Sequence, residues 1–335
     1  MFSNSRVDSF VNTAKKNPSI LVTGATGFIG DRLASCLSRR GDGTCVLATA
    51  RYKPQNLIDN VSFFESGCLS RAIDWTPALR GVLSVVHCAA RVHVMKDKSL
   101  NPLHEFRRVN VEGTANLAHQ AARAGVRRFV YLSSIKVNGE FTEIGIPFTA
   151  DDVPAPEDPY GVSKHEAEQV LRQIAVDTGM EVVIIRPPLV YGPSVKANFK
   201  SMMHWLSRGI PLPLAAVTQN RRSLIALDNL VDLIATCLDH PAAANQTFLV
   251  SDGEDLSTAD LLRRLGVALN HPARLFYMPS SVLKLSAQVA TKPGIYQRLC
   301  GSLQLDITKT CRLLGWSPPI SVDEGLQRAA EGFRA

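Results

Sequence analysis

Tyr160 and Lys164 stand four residues apart, a spacing that on a helix brings a phenol and an ammonium onto one face, where the cation would favour the ionised phenol. A phenol tuned in this way exchanges a proton near neutral pH. The same spacing arises by chance on solvated helices, so its meaning comes from what precedes it. Ser134 lies upstream, and near the front of the chain runs the loop Thr23-Gly24-Ala25-Thr26-Gly27-Phe28-Ile29-Gly30. Gly24 permits a tight turn, Gly27 lets backbone approach a pyrophosphate, and Gly30 lets a helix lie close to a strand. The set points to proton transfer beside a bound nicotinamide dinucleotide.

The elements that must position these groups follow from periodicity. Residues 19–23 form an apolar run stopped by Gly24, and helical spacing follows over 29–40. Further buried strands are expected at 44–50, 61–65, 83–88, 128–132 and 181–186, with helices between several of them. The fold class is therefore α/β, a Rossmann-type doubly wound parallel sheet. A helix from about 160 to 178 buries Ala167, Val170, Leu171 and Ile174, starts at an Asp158 cap and ends at Gly179. After Arg186, Pro187, Pro188, Pro193, Pro211 and Pro213 are expected to end the regular alternation and open a smaller α/β lobe. Its helices are placed at 227–238, 258–269 and 322–333, and a return to the sheet at 246–250. The expected organisation is an N-terminal extension, 1–18, a dinucleotide-binding domain, 19–186, and a mainly substrate-binding lobe, 187–335.

The chain has 335 residues, a net charge of +7 and a pI near 9.1, a balance that suits an anionic substrate and equally nucleic acid or an acidic membrane surface. Its arginine pairs are not interleaved with aromatics, so no nucleic-acid groove is expected. Seven cysteines, with no C-x-x-C pair, indicate neither a disulfide framework nor a zinc site and suggest a cytoplasmic setting. No signal-like region or apolar stretch of bilayer length is evident. The apolar segment 280–295, with Lys284 and Lys292, could rest on a membrane surface or pack in the core. Asp151, Asp152, Glu157 and Asp158 read as loop and cap residues, and no metal is expected. His87 and His93 read as structural. The second strand ends in Thr49-Ala50-Arg51-Tyr52-Lys53, two cations and no acid for a ribose 2′-hydroxyl. NADP(H) is the expected coenzyme, with NAD(H) possible, since a guanidinium can instead stack on adenine.

With the loop, Ser134, Tyr160 and Lys164 in place, the chain from about 19 to 325 resembles an extended short-chain dehydrogenase/reductase of the NAD-dependent epimerase/dehydratase family. The supporting strings are His87-Cys88-Ala89-Ala90, Asn110-Val111-Glu112-Gly113-Thr114, Leu132-Ser133-Ser134 and Arg186-Pro187-Pro188-Leu189-Val190-Tyr191-Gly192-Pro193. The resemblance implies that Ser134 bonds the reacting sugar oxygen, Tyr160 exchanges its proton, and Lys164 binds the nicotinamide ribose. Asn110 would brace the helix and a relay water, or simply satisfy a helix end. The implied coenzyme contacts are Gly24, Thr26, Gly27, Phe28, Ile29, Gly30, Arg51, Lys53, Cys68, Leu69, Ala89, Ala90, Asn110, Tyr160, Lys164 and Pro187. Cys68 stands where many relatives place an aspartate, and is read as a small buried residue. Ser134, Lys136, Val137, Asn198 and Arg221 would face a UDP-sugar substrate, with Arg222 competing for the diphosphate. A homodimer through the Asn110 and Tyr160 helices is implied as well.

A 4,6-dehydratase of this family carries an Asp-Glu pair after its catalytic hydroxyl, and Ile135-Lys136 cannot do that work. The expected reaction is NADPH-dependent reduction of the C4 ketone of a UDP-2-acetamido-2,6-dideoxy-4-keto-hexose. The product would be UDP-N-acetylquinovosamine or UDP-N-acetylfucosamine, for bacterial surface polysaccharide. The alternative is a C4 epimerase of a UDP-linked or lipid-linked N-acetylhexosamine with tightly held NAD. A non-catalytic dinucleotide sensor or scaffold is a third reading, against which the complete Ser134, Tyr160 and Lys164 set speaks.

Overall fold

The structure, a computed structural model, describes residues 20–55, 58–92, 101–279, 281–283 and 293–334. The extension 1–18, His93, and Lys284 and Lys292 of the 280–295 segment lie outside them. Ten strands are present among the described residues: β1 Ile20–Thr23, β2 Val46–Ala50, β3 Val61–Glu65, β4 Ser84–His87, β5 Arg128–Leu132, β6 Glu181–Arg186, β7 Leu189–Tyr191, β8 Arg222–Ala226, β9 Thr247–Leu249 and β10 Asp255–Leu256. The helices are α1 Phe28–Ser38, α2 Thr76–Leu79, α3 Pro102–Phe106, α4 Gly113–Arg123, α5 Pro159–Thr178, α6 Ala197–Ser207, α7 Leu227–Asp239, α8 Thr258–Ala268, α9 Pro293–Cys300, α10 Thr308–Leu314 and α11 Val322–Arg334. A π-helical turn, Arg107–Glu112, joins α3 to α4.

Seven strands form one parallel sheet in the order β3-β2-β1-β4-β5-β6-β9. β1, β2, β4 and β5 are buried at every position, as expected of strands covered on both faces, which is why their sequences are nearly unbroken apolar runs. One face packs Val22, Val86, Val130 and Val183 against α1 and α7; the other packs Leu21, Val85, Phe129 and Ile184 against α4 and α5. Strand order reverses at β1 and β4, so the crevice for a ligand opens at their carboxyl ends. The expected return strand is β9, paired with β6 from Ile184↔Thr247 to Arg186↔Leu249.

Two features depart from the sequence expectation. Strand-helix alternation does not stop at Arg186, because β7, α6, β8, α7 and β9 continue it; Pro187 and Pro188 only mark the turn between β6 and β7. The helix α7, expected within the lobe, packs on α1 instead and shares the apolar cluster of the main sheet. Nine of its thirteen residues are buried, so it is covered almost all round. The lobe is built from the small sheet β10-β8-β7 with α6, α8 and α11 around Tyr191, Phe199, Leu265 and Leu326.

Candidate active site

The glycine loop turns at the crevice. Gly24 has φ 68°, a region open to glycine, and a Cβ there would lie 2.8 Å from Ala89 N. A Cβ on Gly30 would lie 2.3 Å from Gly24 O, so strand end and helix start touch backbone to backbone. Gly27 caps α1 without any side-chain bond. The first-turn amides therefore face the crevice without a side-chain acceptor from the cap, and they suit a pyrophosphate. Thr26 is exposed, while Phe28 and Ile29 are half-buried at the start of α1. Ala89 N donates to Thr23 Oγ1 at 3.2 Å, which holds the Ala89-Ala90 turn over β1. Arg51 and Lys53 are exposed just past the buried end of β2. Cys68, expected to be buried, is exposed, directly after Gly67 at φ 66°. Leu69 packs on α4, where a Cβ on Gly113 would meet it at 2.6 Å. Pro187 is buried, and its carbonyl accepts from Ile135 N at 3.0 Å.

Helix α5 carries Tyr160 and Lys164. Asp158 caps it, Oδ1 accepting from Gly161 N at 2.6 Å, and Gly179 ends it at φ 74°. Lys164 is 2% exposed. Its Nζ donates to Leu132 O at 2.7 Å and lies 4.5 Å from the Tyr131 ring centre and 5.9 Å from that of Tyr160. The ammonium is thus near the phenol, as the spacing requires, but bonded elsewhere. Burial pulls its pKa down to about 7, with Cys88 and Glu168 opposing. The Tyr160 phenol is not held acidic: burial pushes its pKa up, and the Asp158 charge adds to that. Phe106 meets the Tyr160 ring edge-on at 5.9 Å, with the Arg91 guanidinium 5.5 Å from the Phe106 ring centre. Asn110, 1% exposed in the π-helical turn, donates to Ser163 Oγ and Arg91 O, each at 3.0 Å, and accepts from Arg91 N at 2.8 Å. It ties the turn after β4 to α5.

The two adjacent serines separate cleanly. Ser133 Oγ is buried and donates to Glu168 Oε1 at 2.5 Å. Ser134 Oγ caps the short turn Ile135–Val137, accepting from Lys136 N at 3.3 Å, and its residue is half-buried. Sequence reasoning missed the network that fixes this spot. Arg186, at the end of β6, grips Glu168 with Nε at 2.9 Å and Nη2 at 2.6 Å, and gives Nη1 to Asn138 Oδ1 at 3.0 Å. Glu168 is 1% and Arg186 2% exposed. The signal was present: Glu168 falls one turn after Lys164, beside Ala167 on the helix face that the apolar spacing marks as buried. His87 spans Thr23 Oγ1 at 2.7 Å and Thr114 Oγ1 at 2.9 Å, and burial pulls its pKa down to about 3, which keeps it neutral.

The expected substrate residues fare unevenly. Lys136 Nζ is paired with Asp158 and with Glu140, the latter at 2.8 Å, rather than pointing free. Val137 is wholly buried, so its side chain supports the turn and does not face the cleft. Asn198 is exposed at the start of α6. Arg221 spends Nη1 on the carbonyls of Thr218, 2.9 Å, and Asn220, 3.0 Å, and Arg222 bonds Gly301 O at 3.1 Å. Asp228, in the first turn of α7, is bound instead by Arg32 and Arg328. Among the described residues no cluster could hold a metal ion, and no helix is long and apolar enough to cross a membrane.

A switch-point crevice, an open glycine loop and a Ser-Tyr-Lys set together define a dinucleotide-dependent enzyme of the extended short-chain dehydrogenase/reductase class. Residues 20–251 match the NAD dependent epimerase/dehydratase family, and the chain belongs to it. It is 50% identical over 319 residues to a UDP-glucose 4-epimerase of Vibrio cholerae, with 95% of this chain and 96% of that one covered. It is 26% identical over 337 residues to an N-acetyl-alpha-D-glucosaminyl-diphospho-ditrans,octacis-undecaprenol 4-epimerase of Escherichia coli O157:H7, covering 94% and 95% of the two chains. Among solved structures, UDP-glucuronic acid 4-epimerase from Bacillus cereus in complex with NAD shares the fold, with TM-score 0.76, 20% identity, and 94% and 96% of the chains covered.

Proposed function

We propose that the chain reduces the C4 ketone of a UDP-2-acetamido-2,6-dideoxy-4-keto-hexose with NADPH, a step in making surface-polysaccharide precursors. The observation that carries this reading is the end of β2: a buried Ala50 followed by exposed Arg51 and Lys53, with no carboxylate to bond a ribose 2′-hydroxyl. Two cations there favour a 2′-phosphate and a coenzyme that exchanges each turnover. When bound, that coenzyme supplies hydride to the carbonyl carbon. Tyr160 donates the proton that turns the emerging alkoxide into a hydroxyl, and its raised pKa keeps that proton in place at neutral pH. Ser134, one residue from the anchored Ser133, donates a hydrogen bond from its hydroxyl to the same oxygen, and Lys164 holds the coenzyme ribose. Dehydration has no support, since Lys136 and its two carboxylates are committed to one another.

The second reading, C4 epimerisation with retained NAD, is favoured by the 50% identical relative named UDP-glucose 4-epimerase. One assay separates the two. Incubating the 4-keto-6-deoxy sugar nucleotide with NADPH or NADH should consume NADPH at 340 nm, at a lower KM than NADH. Catalytic C4 inversion of UDP-glucose or UDP-N-acetylglucosamine without added coenzyme, and no absorbance loss, would overturn the reductase reading.

A further inference from the structure

Lys136 stands two residues after Ser134 and reaches across to the start of the helix that bears Tyr160. Its Nζ is paired with Asp158 Oδ2 and with Glu140 Oε1. Lys136 is 31% exposed, and each carboxylate 23%. Asp158 uses its other oxygen to cap α5 at Gly161 N, so one side chain joins the Ser134 turn to the first turn of the catalytic helix. The two backbones are also in direct contact: a Cβ on Gly161 would fall 2.7 Å from Lys136 O and 3.2 Å from Asp158 Oδ1. Ala155 N bonds Val137 O at 2.9 Å and closes the same junction from below.

We infer that Lys136 is a positioning residue, not a substrate contact: it clamps the Ser134 turn to the start of α5 and neutralises the Asp158 carboxylate beside the Tyr160 phenol. The inference rests on the reading of Tyr160 as the proton-transfer group, whichever direction the C4 chemistry runs. Among the described residues, the charged and titratable groups facing the phenol are Lys164 from its own helix, Tyr131 from β5, and Asp158 at the helix start. The neutral Phe106 ring, with Arg91 behind it, meets the Tyr160 ring edge-on. Asp158 is the only carboxylate in that set, and Lys136 is its cation. Asp158 already stands next to burial in holding the phenol's pKa up. Taking Lys136 away leaves Asp158 and Glu140 without their cation, and the phenol gives up its proton less readily still.

The sign of the effect can be read in either assay. If Tyr160 acts as an acid, rate falls as pH rises through the phenol pKa; if it acts as a base, rate rises through the same pKa. In both cases Lys136→Met moves that limb to higher pH, because the Asp158 charge beside the phenol then stands uncompensated. Asp158→Asn keeps a capping side chain and moves the limb to lower pH, and the double variant falls between them. Opposite shifts from two neighbouring variants are not produced by a general loss of folding. Lys136→Met should also lower kcat about tenfold or more, since misplacing a hydroxyl relative to the proton donor costs at least that. KM for the sugar nucleotide and the Kd for UDP should stay near wild type, and Lys136→Arg should restore both kcat and the limb.

An unmoved limb in both single variants, or a loss confined to sugar-nucleotide KM and UDP affinity, overturns the inference and returns Lys136 to the substrate. Tyr160→Phe is the separate control. Full turnover in that variant would overturn the role of Tyr160 itself, whatever Lys136 does.

Discussion

Arg186 and Glu168 give the sharpest test of how the site is held. Both are almost wholly buried, and their two contacts, at 2.9 and 2.6 Å, are a bidentate guanidinium–carboxylate pair. In Arg186→Met the thioether fills part of the volume, but Glu168 keeps only the Ser133 hydroxyl and a distant, half-exposed Arg172 at 3.7 Å, and Asn138 loses its donor. An uncompensated buried charge of this kind costs about 3–5 kcal/mol, or roughly two to three and a half orders of magnitude in the folding constant. Against a typical total of about 5–15 kcal/mol, the variant should fold but with its urea midpoint greatly lowered. Adding Glu168→Gln removes the stranded charge and should recover most of the loss. Activity should not return with stability, because Ser133 and Asn138, on either side of Ser134, lose their anchor. A loss below about 1 kcal/mol in Arg186→Met, with the denaturant slope unchanged, would refute the argument that this pair is desolvated and mutually required.

Lys164 should make the coenzyme-free protein less stable at neutral pH than an apolar substitute would. Its folded pKa is pulled down to about 7 from an ordinary value near 10.5. Below the folded value both states are protonated and the full cost of the buried charge is present; it is relieved as pH rises toward the unfolded value. Lys164→Met should therefore melt higher than wild type at pH 7, with the gap closing toward pH 10, while turnover is lost; a lower melting point at pH 7 would contradict this. Gly30→Ala places a methyl 2.3 Å from the Gly24 carbonyl, with only backbone on either side to give way. NADPH fluorescence titration should show lost affinity, and an unchanged Kd would mean that the loop does not set the coenzyme site.

Much of the fold was legible because the central strands are covered on both faces, so 128–132 and 181–186 read as they fold, while the half-exposed edge strand 61–65 was legible from its short apolar run alone. The helix over 227–238 was legible as an amphipathic helix of the lobe but not as a nearly all-round buried neighbour of α1. Its apolar residues point nearly all round, and periodicity says how much of a helix is covered without saying by what. The errors at the site share a different cause. A four-residue spacing delivers the Lys164 ammonium to within 5.9 Å of the Tyr160 ring, yet the donor goes to the Leu132 carbonyl at the end of β5, a partner set by the sheet and not by the helix. Arg221 likewise was expected to turn its fork to phosphate, and one arm of it, Nη1, goes to the Thr218 and Asn220 carbonyls. Side-chain type tells what a cation can bind; only the fold tells which acceptor is nearest.

That distinction also explains why the missed residues form the most deeply buried ion pair of the site. Glu168 and Arg186 lie eighteen positions apart on a helix and a strand, and the one local pattern, Glu168 with Arg172 four residues on, points to a half-exposed cation at 3.7 Å and not to the buried Arg186. Their pairing requires β6 to lie beside β5 and α5 to cover both, so it appears only with tertiary structure. Once formed, it holds Ser133 at the end of β5 and Asn138 after the following turn, and Ser134 between them has little freedom left. Lys136 then fixes that turn to the helix start from the opposite side. The hydroxyl and the phenol are thus positioned by two ion pairs, one almost fully desolvated and one partly open to water. The expected consequence is that added salt disturbs the Lys136 junction and its pH limb well before it weakens the Arg186 pair, because screening reaches exposed charges first.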